Sequence, residues 1–459
     1  MTQLGHIGTA AAALVAACSL LAGQETDYQV YTESPRLLLT QRRLKLLKRE
    51  RERESMRWQQ FEALMRGRAR MSEPGFALGL WSQVSGQSSA CREAAEWAVK
   101  ASTSSTSELR QVALVYDWCQ APAGEALSSL MSRKLAAALR DRPEQPAAVS
   151  ARVLAALAIA DAESQLSQEF LKYSVETWWK QKMAPRLTAG ENPFASRTDL
   201  YALMELLHAV RDNLRLDLRE GLGKWFDELG PLQILSYYPQ PWPAPENEYR
   251  VPAYIGAGEP NLREAALSRA AEMALVAFDT NAPTLQFLQG WIIQDRFLMR
   301  GEFGIGYEFL WANPYQPGLS FTYMPDLFHA RGQLLARSSW DEDAVWFGFW
   351  NGQAQAFGQG KRIAVRMEAR PAPVHLGPVR VFFASSGLKL ESGWTPETEP
   401  GEKPVEEVAF ILGLTPGTLY DVEVDNEEMF ETRADPGGIV ELRFRAGSKA
   451  GVRLKKSAL

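Results

Sequence analysis

Few residues of this chain are of the types that do acid–base or metal chemistry. The 459 residues include four histidines, His6, His208, His329 and His375, and no two of them have zinc-site spacing. No serine stands in a nucleophile elbow, and no glycine-rich loop of the phosphate-cradling kind is present. Asp279, Asp295 and Glu302 supply carboxylates that, if paired, could hydrolyse a glycosidic bond. Trp242, Trp311, Trp340, Trp346 and Trp350 offer flat faces suited to the C–H side of a pyranose, or equally to a protein core. His208 lies in an apolar helical stripe and is expected in the core. His375 sits between proline-rich turns and is expected at the surface, while His329, in YMPDLFHARG, is placed to line a cleft.

The elements that must carry these residues fall into two halves. At this length, with 46% hydrophobic and 23% charged residues, the expectation is a globular protein of two domains. The net charge of -5 provides no general attraction for nucleic acid. From Thr40 to about Arg300 apolar residues recur at three- and four-residue spacing, as in Val149, Val153 and Leu157 or in Leu200, Leu203, Leu207 and Val210. Thr40 is the expected N-cap of the first helix, and the run KRERERE within that helix reads as a solvated face. Short connections such as RDRPEQP and QAPAG imply antiparallel helix pairs, about ten helices in all. The segment from Gly230 to Gly258 breaks the helical pattern with Pro239, Pro241, Pro243, Pro245 and Pro252 and many aromatics. It reads as a functional loop or a cover over helix ends.

Beyond Gly301 the period changes to that of strands: LLARSSW, AVWFGFW, RIAVRME, VRVFFASS, VEEVAFIL, LYDVEVD and IVELRFRA, bounded by Gly, Pro, Asn and Asp. The expected fold is therefore multidomain, α then β. A helical domain over residues 34–310 is joined by the linker Trp311 to Gly318 to an antiparallel β-sandwich over 319–457. At the N-terminus, the apolar run from Thr9 to Gly23 is too short to span a bilayer and reads as a signal peptide over residues 1–23. Val15-Ala16-Ala17-Cys18 resembles a lipobox, which would lipidate Cys18; ordinary cleavage near Gly23 is the other reading. Cys91 and Cys119 then remain, as two buried thiols or one disulfide.

Several stretches carry a resemblance. The opening SPRLLLTQRRLKLLK from Ser34, the tripeptide Tyr116-Asp117-Trp118, and the acidic turn at Asp341 to Asp343 between Trp340 and Trp346 follow one another in this order. In that order they resemble the heparinase II/III-like and alginate lyase group of polysaccharide lyases, over nearly the whole mature chain. The resemblance implies an incomplete (α/α) toroid followed by a β-sandwich, an acidic polysaccharide as ligand, and no cofactor or metal. It also implies β-elimination, which must neutralise a uronate carboxylate, remove the neighbouring proton with Tyr or His, and protonate the leaving oxygen. Such sites draw an Asn-His pair and a Tyr from the toroid and a His from the sandwich. Carried over, Asn192 stands in place of the Asn, without a histidine after it, and is otherwise a helix cap. Tyr249 and Tyr254 in EYRVPAY match the tyrosine-bearing segment, and Arg250 is able to pair with a carboxylate. His329 is the remaining basic candidate. Gly352 to Ala356 occupies the place of the histidine-rich segment, with Gln353 and Gln355 where histidine is expected.

Three functions follow as expectations. The first is an exported carbohydrate-active protein of lyase-like architecture, with Tyr254, Tyr249 and His329 as catalytic candidates and Arg250, Asn192, Trp242 and Trp311 as binding candidates. The second is a non-catalytic glycan-binding or envelope protein, anchored to the membrane only through Cys18. The third is an (α/α)-barrel glycoside hydrolase.

Overall fold

The computed structural model describes residues 28–242, 250–256, 258–295, 299–367, 374–384, 390–391, 406–424, 428–445, 449–450 and 452–457. The apolar run, Cys18 and His6 lie outside them, as does Tyr249. Among the described residues no helix is long and apolar enough to cross a membrane.

The first half is helical throughout. In chain order the α-helices are α1 (Gln41–Glu52), α2 (Met56–Arg66), α3 (Pro74–Ser85), α4 (Ser88–Lys100), α5 (Thr106–Ala123), α6 (Glu125–Ala138), α7 (Pro146–Ala158), α8 (Ser164–Lys172), α9 (Ala184–Thr188), α10 (Arg197–Leu214), α11 (Leu229–Leu235), α12 (Leu262–Phe278), α13 (Pro283–Asp295) and α14 (Ile305–Trp311). They outnumber the sequence expectation because α9 and α11 are too short to leave a periodic signal. Helix α3 packs on α5, α5 on α7, α7 on α10, α10 on α12, α12 on α14, and α14 returns to α3, so these six make an inner circuit. Their sequences allow it. In α7 (PAAVSARVLAALA) and α12 (LREAALSRAAEMALVAF) alanines cover most of the circumference, so neighbours can approach on two sides, and nearly every residue is buried. The predicted stripes in α7 and α10 are all buried.

Caps and ties hold the circuit. Thr40 caps α1 by accepting from the Arg43 N–H. The charge run is not wholly solvated, because Glu50 is buried against Arg57 and Arg51 donates to the carbonyls of Val84 and Ser85 at the end of α3. Asp117 accepts from the N–H groups of Arg36 and Leu37, both at 2.8 Å, and from the Ser34 hydroxyl at 2.7 Å, while the Trp118 indole donates to the Leu37 carbonyl at 2.8 Å. Two motifs far apart in sequence thus meet, and their role here is to fasten the incoming chain to α5. Cys91 on α4 and Cys119 on α5 form a disulfide.

The second half is built of strands: β1 (Leu327–Ala330), β2 (Gln333–Arg337), β3 (Trp346–Trp350), β4 (Gln353–Gly358), β5 (Lys361–Val365), β6 (Val374–Leu376), β7 (Val379–Phe383), β8 (Leu390–Glu391), β9 (Glu406–Leu412), β10 (Leu419–Val424), β11 (Glu428–Arg433), β12 (Val440–Arg445), β13 (Lys449–Ala450) and β14 (Val452–Lys456). β1 to β5 form an antiparallel meander. Its hairpins β1–β2, β3–β4 and β4–β5 turn through Arg331-Gly332, Asn351-Gly352 and Gln359-Gly360, each with positive φ at both residues, the backbone that matches strand twist in a two-residue loop. The Gln-Ala-Gln stretch, which carries no strand pattern of its own, is therefore β4. It lacks β-branched residues, so turn chemistry and not propensity places it.

A second sheet, in the order β12-β9-β7-β6, stacks on the meander through Leu334, Phe347, Phe349, Val381 and Phe410. Its opposite face meets a third sheet, β11-β10-β14, through Phe382, Ile411, Val422 and Val440. The sandwich is thus extended to three layers, open rather than closed into a barrel. Being covered on both faces, β7 (VRVFF) is buried along its whole length, with Arg380 paired to Glu407, and its pairing with β9 is parallel where an antiparallel sheet was expected. The outer face of the meander packs on the helical half: Phe328, Leu335, Trp346 and Phe357 meet Leu235, Tyr238 and Val251. The Trp346 indole donates to the Leu235 carbonyl at 2.8 Å.

Candidate functional site

Where the helical half meets the meander, a cavity of about 500 Å³ opens, within the range of small-molecule sites. Four segments build it. The first enters α10: Ser196 caps that helix, accepting from the Asp199 N–H at 3.1 Å, and this places Arg197 at the wall. Asn192, four residues earlier, does not cap. Its Oδ1 accepts from the Phe194 N–H at 3.2 Å, and Phe194 is wedged among Trp178, Trp179 and Trp225, which holds the loop against the cavity. The second segment is α11 with its C-cap, contributing Gln233 and Ser236. It is the front of the stretch expected to be irregular, and the remainder there is tied by a bridge between Tyr237 and Pro252.

The third segment runs from Val251 to Ile255 and on to Glu259, Asn261 and Glu264, where Asn261 caps α12 by accepting from the N–H groups of Arg263 and Glu264. The fourth is the meander, with Gln333 and Leu335 of β2 and the Trp350-Asn351 tip of the β3–β4 hairpin. Gln355 joins the last two. Its Oε1 accepts from the Tyr238 hydroxyl at 2.7 Å and its Nε2 donates to the Tyr254 carbonyl at 3.0 Å, so the position expected for a sandwich histidine is a buried strut beneath the cavity wall. Burial pushes the Tyr238 hydroxyl up to about 12, which keeps it a donor.

Of the residues expected at the site, Asn192 and Tyr254 line this cavity. The Tyr254 hydroxyl is engaged: it donates to the Gly258 carbonyl at 2.6 Å and accepts from the Trp242 indole at 3.1 Å, while the Arg362 guanidinium lies 4.0 Å over its ring. Trp242 is thereby committed to Tyr254, and it also packs edge-on against Phe357. Arg250 points elsewhere. It donates to the Pro239 carbonyl at 2.7 Å and pairs with Asp295 at 3.3 Å and Glu342 at 2.7 Å, a tie between the two halves.

Trp311 is not linker but the last residue of α14, 2% exposed, with its indole donating to the Tyr201 hydroxyl at 3.0 Å and Arg43 over its ring. His329 faces away from the junction. Phe328 takes the junction side of β1, so strand alternation turns His329 toward the second sheet, against Phe410 and between Asp435 at 3.2 Å and Glu441 at 3.1 Å. Burial opposes its protonation, but the two carboxylates outweigh burial and raise its pKa. His208 is a core residue, bonded to the Ala274 carbonyl at 2.8 Å and pushed well down by burial. His375 is exposed on β6.

The hydrolase carboxylates do not pair with one another. Asp279 is held by Arg219, Asp295 is buried against Arg269 and Arg250, and Glu302 is exposed. A separate polar cluster lies inside the inner circuit, where Arg110 meets Glu205 at 2.6 Å and Glu73 at 3.2 Å, with Tyr201 and Tyr307 donating to those carboxylates. It is closed on itself and satisfied, as a structural network would be. Among the described residues no cluster of three His, Cys, Asp or Glu could hold a metal ion.

Arg197, Gln233, Glu259, Asn261 and Glu264 were not anticipated. A signal was available for all but Gln233, because the others stand at or near the N-terminal ends of the inner helices α10 and α12. The chain matches no protein-family model, and no curated protein is significantly similar to it.

Proposed function

We propose that this is an exported carbohydrate-binding protein, related in architecture to the heparinase II/III-like lyases, which holds a stretch of polysaccharide in the junction cavity without eliminating it. The observation that carries the reading is the lining itself. It combines the ring of Trp350 with carboxamides from both halves and hydroxyls from the helical half, the mixture that recognises a sugar's C–H face and its hydroxyls, and none of its described residues is a histidine. The domain order, the helical circuit and the Cys91–Cys119 disulfide, which suits an oxidising compartment, support it further. The test is titration of the purified chain with oligosaccharides of several classes, followed by calorimetry and by absorbance of unsaturated uronate. Saturable binding with flat absorbance is the expected result; absence of binding to every class refutes the reading.

A second reading is favoured by one observation, that Tyr254 and Arg197 line the same cavity. In it Arg197 neutralises a uronate carboxylate, and Tyr254, freed from Gly258 and deprotonated to solvent, takes the C5 proton as the C4–O bond breaks and the C4=C5 double bond forms, then returns that proton to the leaving oxygen. Rising absorbance that is abolished by Tyr254→Phe would establish it.

A further inference from the structure

We infer that the junction cavity selects an uncharged glycan over a polyuronate. The inference rests on the glycan-binding reading and adds the ligand's charge. The ionised lining is one cation, Arg197, against two carboxylates, Glu259 and Glu264. Arg197 already spends Nη1 on the Gln233 Oε1 at 3.3 Å. Neither glutamate is paired with a cation among the described residues.

Of the described cations outside the lining, Arg331 pairs with Glu228 and Arg250 with Asp295 and Glu342, whereas Arg362, which donates to the carbonyls of Tyr254 and Gly256, and Arg263, which lies over the Phe303 ring, keep their charge. A polyuronate carries a carboxylate on every sugar, so each one entering would meet the two glutamates of the lining; both are exposed, so the penalty is largest at low salt.

The uncharged part of the lining points to hydroxyls. Gln233 is 4% exposed, and its Nε2 has no partner among the described residues although its Oε1 is bonded; a carboxamide at the cavity wall with a spare donor can give it to a ligand acceptor. Asn192, Gln333 and Asn351 add amides that both donate and accept, as sugar hydroxyls do, and Trp350 adds a ring face. Selection here is an electrostatic penalty on the anionic ligand more than added affinity for the neutral one.

The experiment is calorimetric titration of the full chain, at low salt, with neutral oligosaccharides (gluco-, manno- and xylo-configured) and with alginate and polygalacturonate oligosaccharides of equal length. At least one neutral ligand should bind at least about tenfold more tightly than either uronate. Trp350→Ala should abolish that binding, and the double variant Glu259→Gln/Glu264→Gln should narrow the gap by improving uronate affinity. Uronates binding as tightly as neutral sugars, or a gap untouched by the double variant, overturns the charge inference and leaves glycan binding standing. Neutral binding that survives Trp350→Ala overturns the site. Silence toward every ligand removes the glycan reading itself, and the inference with it.

Discussion

Replacing Gln355 with leucine probes the joint that shapes the cavity. Gln355 is 7% exposed and uses both ends of its carboxamide. Leucine has nearly the same volume, so packing is kept while both hydrogen bonds go. The Tyr254 carbonyl retains the Arg362 donor at 3.1 Å and loses little. The Tyr238 hydroxyl loses its acceptor: its ring is fully buried, and its other polar neighbours, the Tyr254 N–H at 3.5 Å and the Arg362 guanidinium, are themselves donors. An orphaned buried donor costs about 1–3 kcal/mol, so destabilisation of roughly 2 kcal/mol is expected. Urea unfolding followed by tryptophan emission measures it, since Trp242 and Trp346 pack against Tyr238. Tyr238→Phe removes the donor from the other side, and the double variant should be milder than the sum by about 1 kcal/mol. Because Gln355 also anchors the segment lining the cavity, glycan affinity should fall in Gln355→Leu. A cost under about 0.5 kcal/mol with no coupling would refute the strut.

Four further outcomes are expected. The His329 pKa is raised in the folded state, so its bonds to Asp435 and Glu441 stabilise fully below about 6.5 and that contribution fades as pH rises through the raised value. Thermal melts from acid to alkaline pH should show wild type losing its advantage over His329→Asn in that window; parallel curves would exclude the clamp. Reducing or removing the Cys91–Cys119 bridge, at a sequence separation of 28, should cost roughly 3–4 kcal/mol in guanidinium unfolding. Glu205→Ala leaves Arg110 buried with only Glu73 as a carboxylate partner and should cost about 3–5 kcal/mol, whereas Glu62→Ala, which breaks an exposed pair with Arg66, should leave the midpoint unchanged. Arg197→Ala should weaken glycan binding without shifting the melting temperature, as a cavity-wall residue would; a lower melting temperature with unchanged affinity would make it structural.

The α-then-β division was legible because burial imposes a period of about 3.6 on helices and 2 on strands, and Val149, Val153 and Leu157 or Tyr420 and Val422 carry those periods openly. Strand β4 was not, since Gln353 to Gly358 has no β-branched residue and is set by the turns flanking it. The third sheet layer was hidden too: an alternating strand such as β12 reads the same whether its apolar face meets one sheet or another. At the site, the candidate residues were chosen by chemical type, and type does not report direction. Arg250 and Tyr254 are close in sequence, yet one ties the halves together through Asp295 and Glu342 while the other lines the cavity. His329 looked free and is clamped, because both of its partners lie more than a hundred residues downstream. The wall residues Arg197 and Gln233 belong to separate helices, α10 and α11, and only the tertiary fold brings them together.

Hydrogen–deuterium exchange of the full chain, with and without a bound neutral oligosaccharide, tests the central claim most directly. Protection should appear together in residues 192–197, 251–255 and 350–351, three of the four segments that build the junction cavity. Protection confined to another surface of the sheets or helices, with these three segments unchanged, would contradict it.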